Sequence, residues 1–170
     1  MNNFKEVLPE LIKKNPFQAI GKEWMLVTAG SPEKSNTMTA SWGGFGVMYG
    51  KDVVFIVIRP QRYTREFIDQ EETFSLSFLD KDYKKVMNYL GTASGRNEDK
   101  ILKSELTLEF SDNTPYFTEA NTVFICKKLL RQPFDGESML NEKLDFTFYP
   151  TKDYHILYIA EITKAMQATR

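Results

Sequence analysis

Apolar residues along this chain fall in short runs separated by polar turns, and the spacing inside each run sets what it can become. Residues 53–58, Val-Val-Phe-Ile-Val-Ile, are apolar without interruption, the pattern of a strand covered on both faces. Phe74-Ser75-Leu76-Ser77-Phe78 alternates strictly, which predicts a strand burying one face only. Residues 24–29 are rich in β-formers. They are followed by turn chemistry at 30–36 and a returning run at 37–42, which predicts a hairpin with Asn36 on its rim. Residues 122–130 and 154–164 read as two more strands, the second carrying Ile156, Tyr158 and Ile162.

Helical spacing is scarcer. Residues 63–70 suit a short helix, and residues 80–90 place Tyr83, Val86, Met87 and Leu90 on one face, with acids at the start and Gly91 as a stop. The first 22 residues read as a short helix and loop, limited by Pro9 and Pro16 and closed by Gly21, with the sheet beginning afterwards. Residues 111–115 and 132–136 have the composition of surface turns. No repeat, low-complexity tract or linker divides the chain, so residues 1–170 are expected to form one domain. Strands outnumber helices; a closed or half-closed β-barrel decorated by short helices is favoured over a parallel doubly wound sheet.

Composition then narrows the chemistry. With 170 residues, 42% hydrophobic and 14% aromatic, the chain has ample material for a continuous core. Its 22 Lys and Arg against 23 Asp and Glu leave no broad field to draw nucleic acid or an anionic membrane, so any bound anion must be held locally. A single cysteine, Cys126, excludes an internal disulfide, a Cys-x-x-Cys redox pair and a Cys-ligated cluster. The lone histidine, His155, leaves too few soft ligands for zinc, so no metal is expected and redox chemistry would need an organic cofactor. Asn2, Asn3, Lys5, Glu6, Pro9 and Glu10 interrupt any N-terminal apolar segment, and no run approaches the ~20 apolar residues that cross a bilayer. A cytoplasmic protein is the simplest expectation.

Three segments crowd hydroxyls, amides and cations beside a strand end or helix start, as a bound phosphate requires. At Arg59-Pro60-Gln61-Arg62-Tyr63-Thr64 a buried strand empties into a helix start, where free backbone N–H groups and the guanidinium groups of Arg59 and Arg62 can converge on one anion. The plainer alternative makes Thr64 an N-cap and the arginines partners of surface acids. Ser94-Gly95-Arg96-Asn97-Glu98-Asp99-Lys100 is either a loop leaning over a ligand, with Lys100 on a phosphate or nicotinamide, or a charged connection with local pairing. In Asn36-Thr37-Met38-Thr39-Ala40-Ser41-Trp42, Trp42 precedes Gly43 and Gly44, which suits packing against a flat heteroaromatic ring as well as an ordinary core tryptophan before a bulge. His155 reads either as a ligand contact assisting a proton step or as a satisfied structural group, and Cys126 as a buried inert thiol.

Taken in order, these segments resemble the flavin reductase-like family of FMN-binding split β-barrels, and its flavoredoxin-like branch in particular, over residues 15–162. Residues 36–44 are similar to the family's Asn-x-Met-Thr-Ala-Ser/Ala-Trp-Gly-Gly stretch, and residues 94–100 to its Ser-Gly-Arg-Asp-x-Asp-Lys loop. Residues 154–162 are similar to its His-x-x-Phe/Tyr-Ile-Gly-Glu-Ile/Val strand, with His155 on the family's histidine. Two positions depart: Asn97 stands where an acid is usual, and Ala160 where a glycine is usual, its methyl narrowing a ligand approach.

The resemblance implies FMN as cofactor. Asn36, Met38, Thr39, Ala40, Ser41 and Trp42 would contact the isoalloxazine and ribityl, and Arg59, Arg62, Tyr63 and Thr64 the phosphate. Ser94, Gly95, Arg96 and Lys100 would close the phosphate or nicotinamide side. It implies an NAD(P)H-dependent flavin reductase with hydride transfer to flavin N5, and a homodimer. Its rivals are a non-enzymatic FMN electron carrier serving a redox protein partner and a ligand-binding barrel without redox activity. Residues 132–153 would supply a lid or dimer contacts.

Overall fold

A computed structural model of the chain describes residues 3–169. Its strands are β1 (Asn3–Val7), β2 (Met25–Gly30), β3 (Ser35–Ala40), β4 (Gly43–Met48), β5 (Lys51–Ile58), β6 (Thr73–Phe78), β7 (Leu108–Ser111), β8 (Thr114–Phe117), β9 (Thr122–Pro133) and β10 (Ile156–Thr169). The α-helices are short: α1 (Pro16–Gln18), α2 (Tyr63–Gln70), α3 (Lys84–Thr92), α4 (Lys100–Ser104) and α5 (Glu142–Phe148).

Eight strands form one antiparallel sheet in the order β3-β2-β6-β9-β10-β5-β4, with β1 added to the far end of β10. The closure of this sheet follows from its connectivity. β3 and β4 stand at opposite ends of the hydrogen-bonded order, yet only Ser41 and Trp42 separate them in sequence. Three Cα steps span at most about 11 Å, whereas seven strands laid flat would put the two ends about 29 Å apart. The sheet therefore curls until its edges meet at Ser41-Trp42, and because β3 and β4 do not pair, the barrel is split there. Gly43 is required at this corner: its φ is +139°, and a Cβ would lie 2.3 Å from the carbonyl oxygen of Phe55 on β5. The glycine serves approach to a neighbouring strand, where the sequence left open a ligand ring or a bulge.

Alternation along the strands builds two cores. Met25, Val27, Phe74, Leu76, Phe78, Phe124, Ile56 and Tyr158 fill one, and Leu26, Met87, Leu90, Phe117, Val123 and Ile125 the other. Helices α2 and α3 cover β2 and β3. Cys126 is fully buried, and desolvation pushes its thiol well above the usual range.

The barrel with short helices is as the residue pattern indicates; three local features differ. The N-terminal residues are not helix and loop alone, because β1 pairs with β10 in register from Asn3 with Thr169 to Val7 with Ala165. β6 is buried on both faces: Ser75 donates its hydroxyl to the Pro115 carbonyl and Ser77 accepts from the Phe117 amide, so the β7–β8 hairpin covers its polar side. That hairpin turns at Asp112 and Asn113, both at positive φ, at the expected turn. Helix α3 runs through Gly91 to Thr92, since Gly91 lets the helix approach Thr39 closely, where a Cβ would lie 3.1 Å from that residue's own.

Candidate functional site

β5 ends at Ile58, and the chain turns through Arg59-Pro60-Gln61, with the Arg62 amide donating to the Arg59 carbonyl, before α2 begins. Arg62 occupies the N-cap position with no side-chain cap. Thr64 is therefore not the cap that the sequence suggested. It lies buried in the first turn, where its hydroxyl oxygen accepts from Asn36 Nδ2 at 2.9 Å. The first-turn N–H groups of Tyr63 and Thr64 have no intrahelical acceptor and carry the positive end of the helix dipole. Asn36, expected on a rim, is buried within β3 and presses on Gly95, where a Cβ would stand 2.2 Å from its Oδ1. Gly95 thus provides clearance for a buried amide, and its neighbour Ser94 accepts weakly from the Arg96 amide at 3.3 Å.

Opposite α2 lies the C-terminal end of α3, whose orphan carbonyls attract two cations. Arg62 donates to the Gly91 carbonyl at 2.7 Å, and Lys100 to those of Leu90 and Ala93, both at 2.9 Å. Lys100 is buried under this helix end instead of reaching from a loop. Burial and then the Arg62 guanidinium push its ammonium down to about 8. Arg59 lines the same two clefts as Arg62, with its guanidinium engaged elsewhere. It pairs with Asp153 and donates to the Phe148 carbonyl at 2.7 Å. Hydrogen bonds from Gln61 and Arg59 hold the Asp153 carboxyl well below the usual carboxylate range. Arg96 pairs with Glu66 and lies 4.4 Å from the Tyr63 ring centre.

Two clefts of about 270 Å³ each result. One is polar, between the start of α2 and the loop after α3, and holds Asn36, Arg62, Tyr63, Thr64, Ser94, Gly95 and Lys100. The other runs along the split, with Met38 to Trp42 on one side and Val57, Phe148 and His155 on the other. Met38, Arg59 and Arg62 belong to the walls of both, so the clefts are joined. Together they reach the size of ordinary small-molecule sites.

The walls of the second cleft mix apolar rings and side chains with polar groups, Arg59, Arg62 and His155 among them. Trp42 is 42% exposed, meets Phe148 edge-on at 5.1 Å between ring centres and tilts against His155 at the same distance. The Thr39 hydroxyl donates to the Met87 carbonyl, which commits its proton to α3. Among the described residues β3 pairs only with β2, so alternate N–H and C=O groups on its other edge face the split. His155 Nδ1 shares a hydrogen bond of 2.7 Å with the Tyr149 hydroxyl. Desolvation, and then Arg59, lower its pKa to about 4, so it is a neutral imidazole at neutral pH. Ala160 is fully buried in the core and lines neither cleft, so its methyl narrows no approach.

Every site residue expected from the sequence except Arg96 therefore lines one of the two joined clefts. Within residues 132–153, expected to supply a lid or dimer contacts, the individual residues were not foreseen: Phe148, at the end of α5, borders the cleft, and Tyr149 and Asp153 hold His155 and Arg59. The density of aromatics at Phe146, Phe148, Tyr149 and Tyr154 was the available signal. Among larger cavities, one of about 890 Å³ between Lys13, Asp80 and Gln167 contains none of the motif residues.

The model of the flavin reductase like domain matches residues 17–170. The chain belongs to that family. No curated protein matches it. Among solved structures, an FMN-binding domain of flavin reductase-like enzymes from Shewanella baltica superposes with a TM-score of 0.71 at 20% identity, covering 98% of this chain and 78% of that one. Flavoredoxin from Methanosarcina acetivorans gives 0.66 at 20%, covering 84% and 67%. The NADH:FAD oxidoreductase of Streptomyces globisporus gives 0.64 at 16%, covering 85% and 75%. At these identities the likeness establishes the split-barrel fold.

Proposed function

We propose that the chain binds FMN across the two joined clefts and works as an NAD(P)H-dependent flavin reductase. The observation that carries this reading is the junction itself. A helix start with free first-turn amides opens, past Met38, Arg59 and Arg62, into a split flanked by Trp42 and Phe148 and bordered by an unpaired strand edge. A phosphate monoester fits the first cleft, where the amides of Tyr63 and Thr64 and the Arg62 guanidinium are donors and Lys100 adds charge. A flat ring with polar atoms along one edge fits the second, its edge facing the main chain of residues 38–42 and its flanks against Trp42 and Phe148.

Bound FMN supplies hydride acceptance at N5 and onward electron transfer. The protein's part is positional. Main-chain donors on the β3 edge, fixed by pairing with β2, meet negative charge on the ring without reorganisation. His155, held by Tyr149, offers a neutral hydrogen-bonding edge instead of a proton from an imidazolium. The exposed apolar tip of the β4–β5 hairpin, Val47 to Tyr49, supports a homodimer. No described helix is long and apolar enough to cross a membrane.

The test is anaerobic titration of FMN-reconstituted protein with NADH and then NADPH, followed through the visible flavin band. Bleaching at stoichiometric nucleotide supports the reductase. A bound flavin that neither nucleotide reduces assigns the protein to electron carriage between partners. Absence of bound flavin overturns the reading of both clefts.

A further inference from the structure

The imidazole of His155 has two nitrogens with different surroundings, and together they fix where its one proton sits. His155 immediately precedes β10, and its carbonyl accepts from the Phe134 amide at 2.9 Å. The ring lies between Trp42, tilted at 5.1 Å between centres, and Tyr149, edge-on at 5.5 Å, which restrains its plane. Nδ1 is 2.7 Å from the Tyr149 hydroxyl. Tyr149 is buried, and burial pushes its hydroxyl pKa up, so it keeps its proton; a hydrogen bond from the His155 main chain to the hydroxyl opposes part of that rise. Among the described residues Nδ1 is the one acceptor within reach of that proton. Were Nδ1 itself protonated, the phenol proton would be left unpaired in the interior, so Nδ1 accepts, and the single proton of the neutral imidazole is on Nε2. Nε2 has no hydrogen-bond partner among the described residues and is not sealed from solvent, and His155 lines the split.

We propose that Tyr149 is a positioning residue that holds His155 in the Nε2–H tautomer, so that the split is given a fixed hydrogen-bond donor for a carbonyl oxygen of a bound ring. The inference rests on the FMN reading above for the ring, and on the hydrogen-bond network alone for the tautomer. A protonated neutral Nε2 can donate a hydrogen bond but has no lone pair with which to take a proton, so His155 is no general base toward the split. Without the phenol both tautomers of the neutral ring are open to it, and the donor is present in only part of the population. Tyr149 lines neither cleft. Arg59, 5.3 Å from the Tyr149 ring centre and bonded to the neighbouring Phe148 carbonyl, keeps the phenol in place. A flavin carbonyl and a nicotinamide carboxamide offer this donor the same acceptor, and they differ in which binding constant they would move.

His155 is the only histidine in the chain, so isotope labelling of histidine nitrogen leaves one pair of ring atoms to read. Long-range proton–nitrogen correlation spectra at neutral pH, on the apoprotein and after loading with FMN, should show Nδ1 unprotonated and Nε2 protonated. Tyr149→Phe keeps the ring and its 4.8 Å contact with Tyr154, and should move both nitrogens toward the averaged positions of exchanging tautomers. It should also cost about threefold to tenfold in one binding constant, the net worth of a hydrogen bond. A raised KM for NADH or NADPH identifies the nicotinamide carboxamide as the acceptor, and a raised Kd for FMN identifies the flavin carbonyl. In a His155→Gln background, where the amide N–H has no tautomer to choose, Tyr149→Phe should change neither constant; an equal loss in both backgrounds would make Tyr149 a packing residue and overturn its positioning role. An Nδ1–H or mixed tautomer in the wild type, or a spectrum that Tyr149→Phe leaves unaltered, overturns the proposal. A tautomer shift with no effect on either constant also overturns it, since the donor then meets no ligand. Failure to bind FMN removes the FMN reading instead, while the apoprotein spectrum still decides the tautomer.

Discussion

Replacing Gly95 by alanine tests the geometry of the phosphate cleft, because the consequence can be worked from three distances. The new Cβ would lie 2.2 Å from Asn36 Oδ1, 3.0 Å from its Cγ and 3.2 Å from Tyr63 Cδ1, where ordinary contacts start near 3.4 Å. The Asn36 amide must retreat by over ~1 Å, which strains its hydrogen bond to Thr64, now 2.9 Å. At 3% exposure Asn36 has little water to replace that partner. The orphaned polar group costs about 1–3 kcal/mol and the forced overpacking a similar amount. A loss of about 3 kcal/mol lowers Tm by roughly 6–12 °C in a domain of this size. Because Tyr63 and Thr64 carry the anion-facing amides, FMN affinity should fall about tenfold as they shift. Thermal unfolding followed by circular dichroism and flavin fluorescence titration read the two effects. The double variant Asn36→Ala/Gly95→Ala isolates the cause, since with the amide removed the methyl should add less than about 1 kcal/mol to the cost of Asn36→Ala alone. A Gly95→Ala protein within about 2 °C of wild type, or strictly additive costs in the double variant, would refute the argument.

Three further outcomes are expected. Arg62→Ala with Thr64→Ala should weaken FMN binding on the order of tenfold to a hundredfold by equilibrium dialysis, as charge-assisted donors to an anion are lost; unchanged flavin content would remove the phosphate assignment. Lys100, charged below about 8, should make FMN affinity level between pH 7 and 8 and then fall by up to tenfold per unit as binding requires proton uptake, and Lys100→Met should abolish that slope. His155, whose pKa falls from 6.5 to about 4 in the folded state, contributes stability that is complete above pH 6.5 and lost as pH drops toward 4. Chemical denaturation should show a loss of about 2 kcal/mol across that window that His155→Gln lacks, with FMN retention in the variant little changed.

How much of this was legible in the sequence depended on whether a signal was local. The buried run of β5, the amphipathic face of α3 and the turn at Asp112-Asn113 are written in periods and turn residues of one segment, and each forms close to its expected place. β4, Gly43–Met48, gave no such signal because three of its six residues are glycine and its faces are mostly exposed; only its pairing with β5 makes it a strand. β6 misled because its serines look solvent-facing until the distant β7–β8 hairpin is folded over them. At the site the motifs identified the right segments but not the use of each side chain. Thr64, Gly95 and Lys100 act through Asn36 and the end of α3, and such long-range partners are invisible in spacing alone.

The position of the candidate site follows from the closure of the sheet. If β3 and β4 paired, the outer amides of residues 38–40 would be consumed in a ladder and the split would be filled by side chains. The two-residue link at Ser41-Trp42 brings the edges together while, among the described residues, β3 remains paired only with β2, so an unpaired strand edge persists beside the Trp42 and Phe148 rings. A flat polar-edged ring satisfies such an edge as a further strand would, through main-chain bonds that do not depend on side-chain identity. This accounts for a site with a neutral histidine, a thiol buried elsewhere in the core and a threonine hydroxyl already bonded to a neighbouring helix. On this reading the protein supplies a fixed edge, a phosphate anchor and an aromatic flank, and the reactive atoms belong to the flavin.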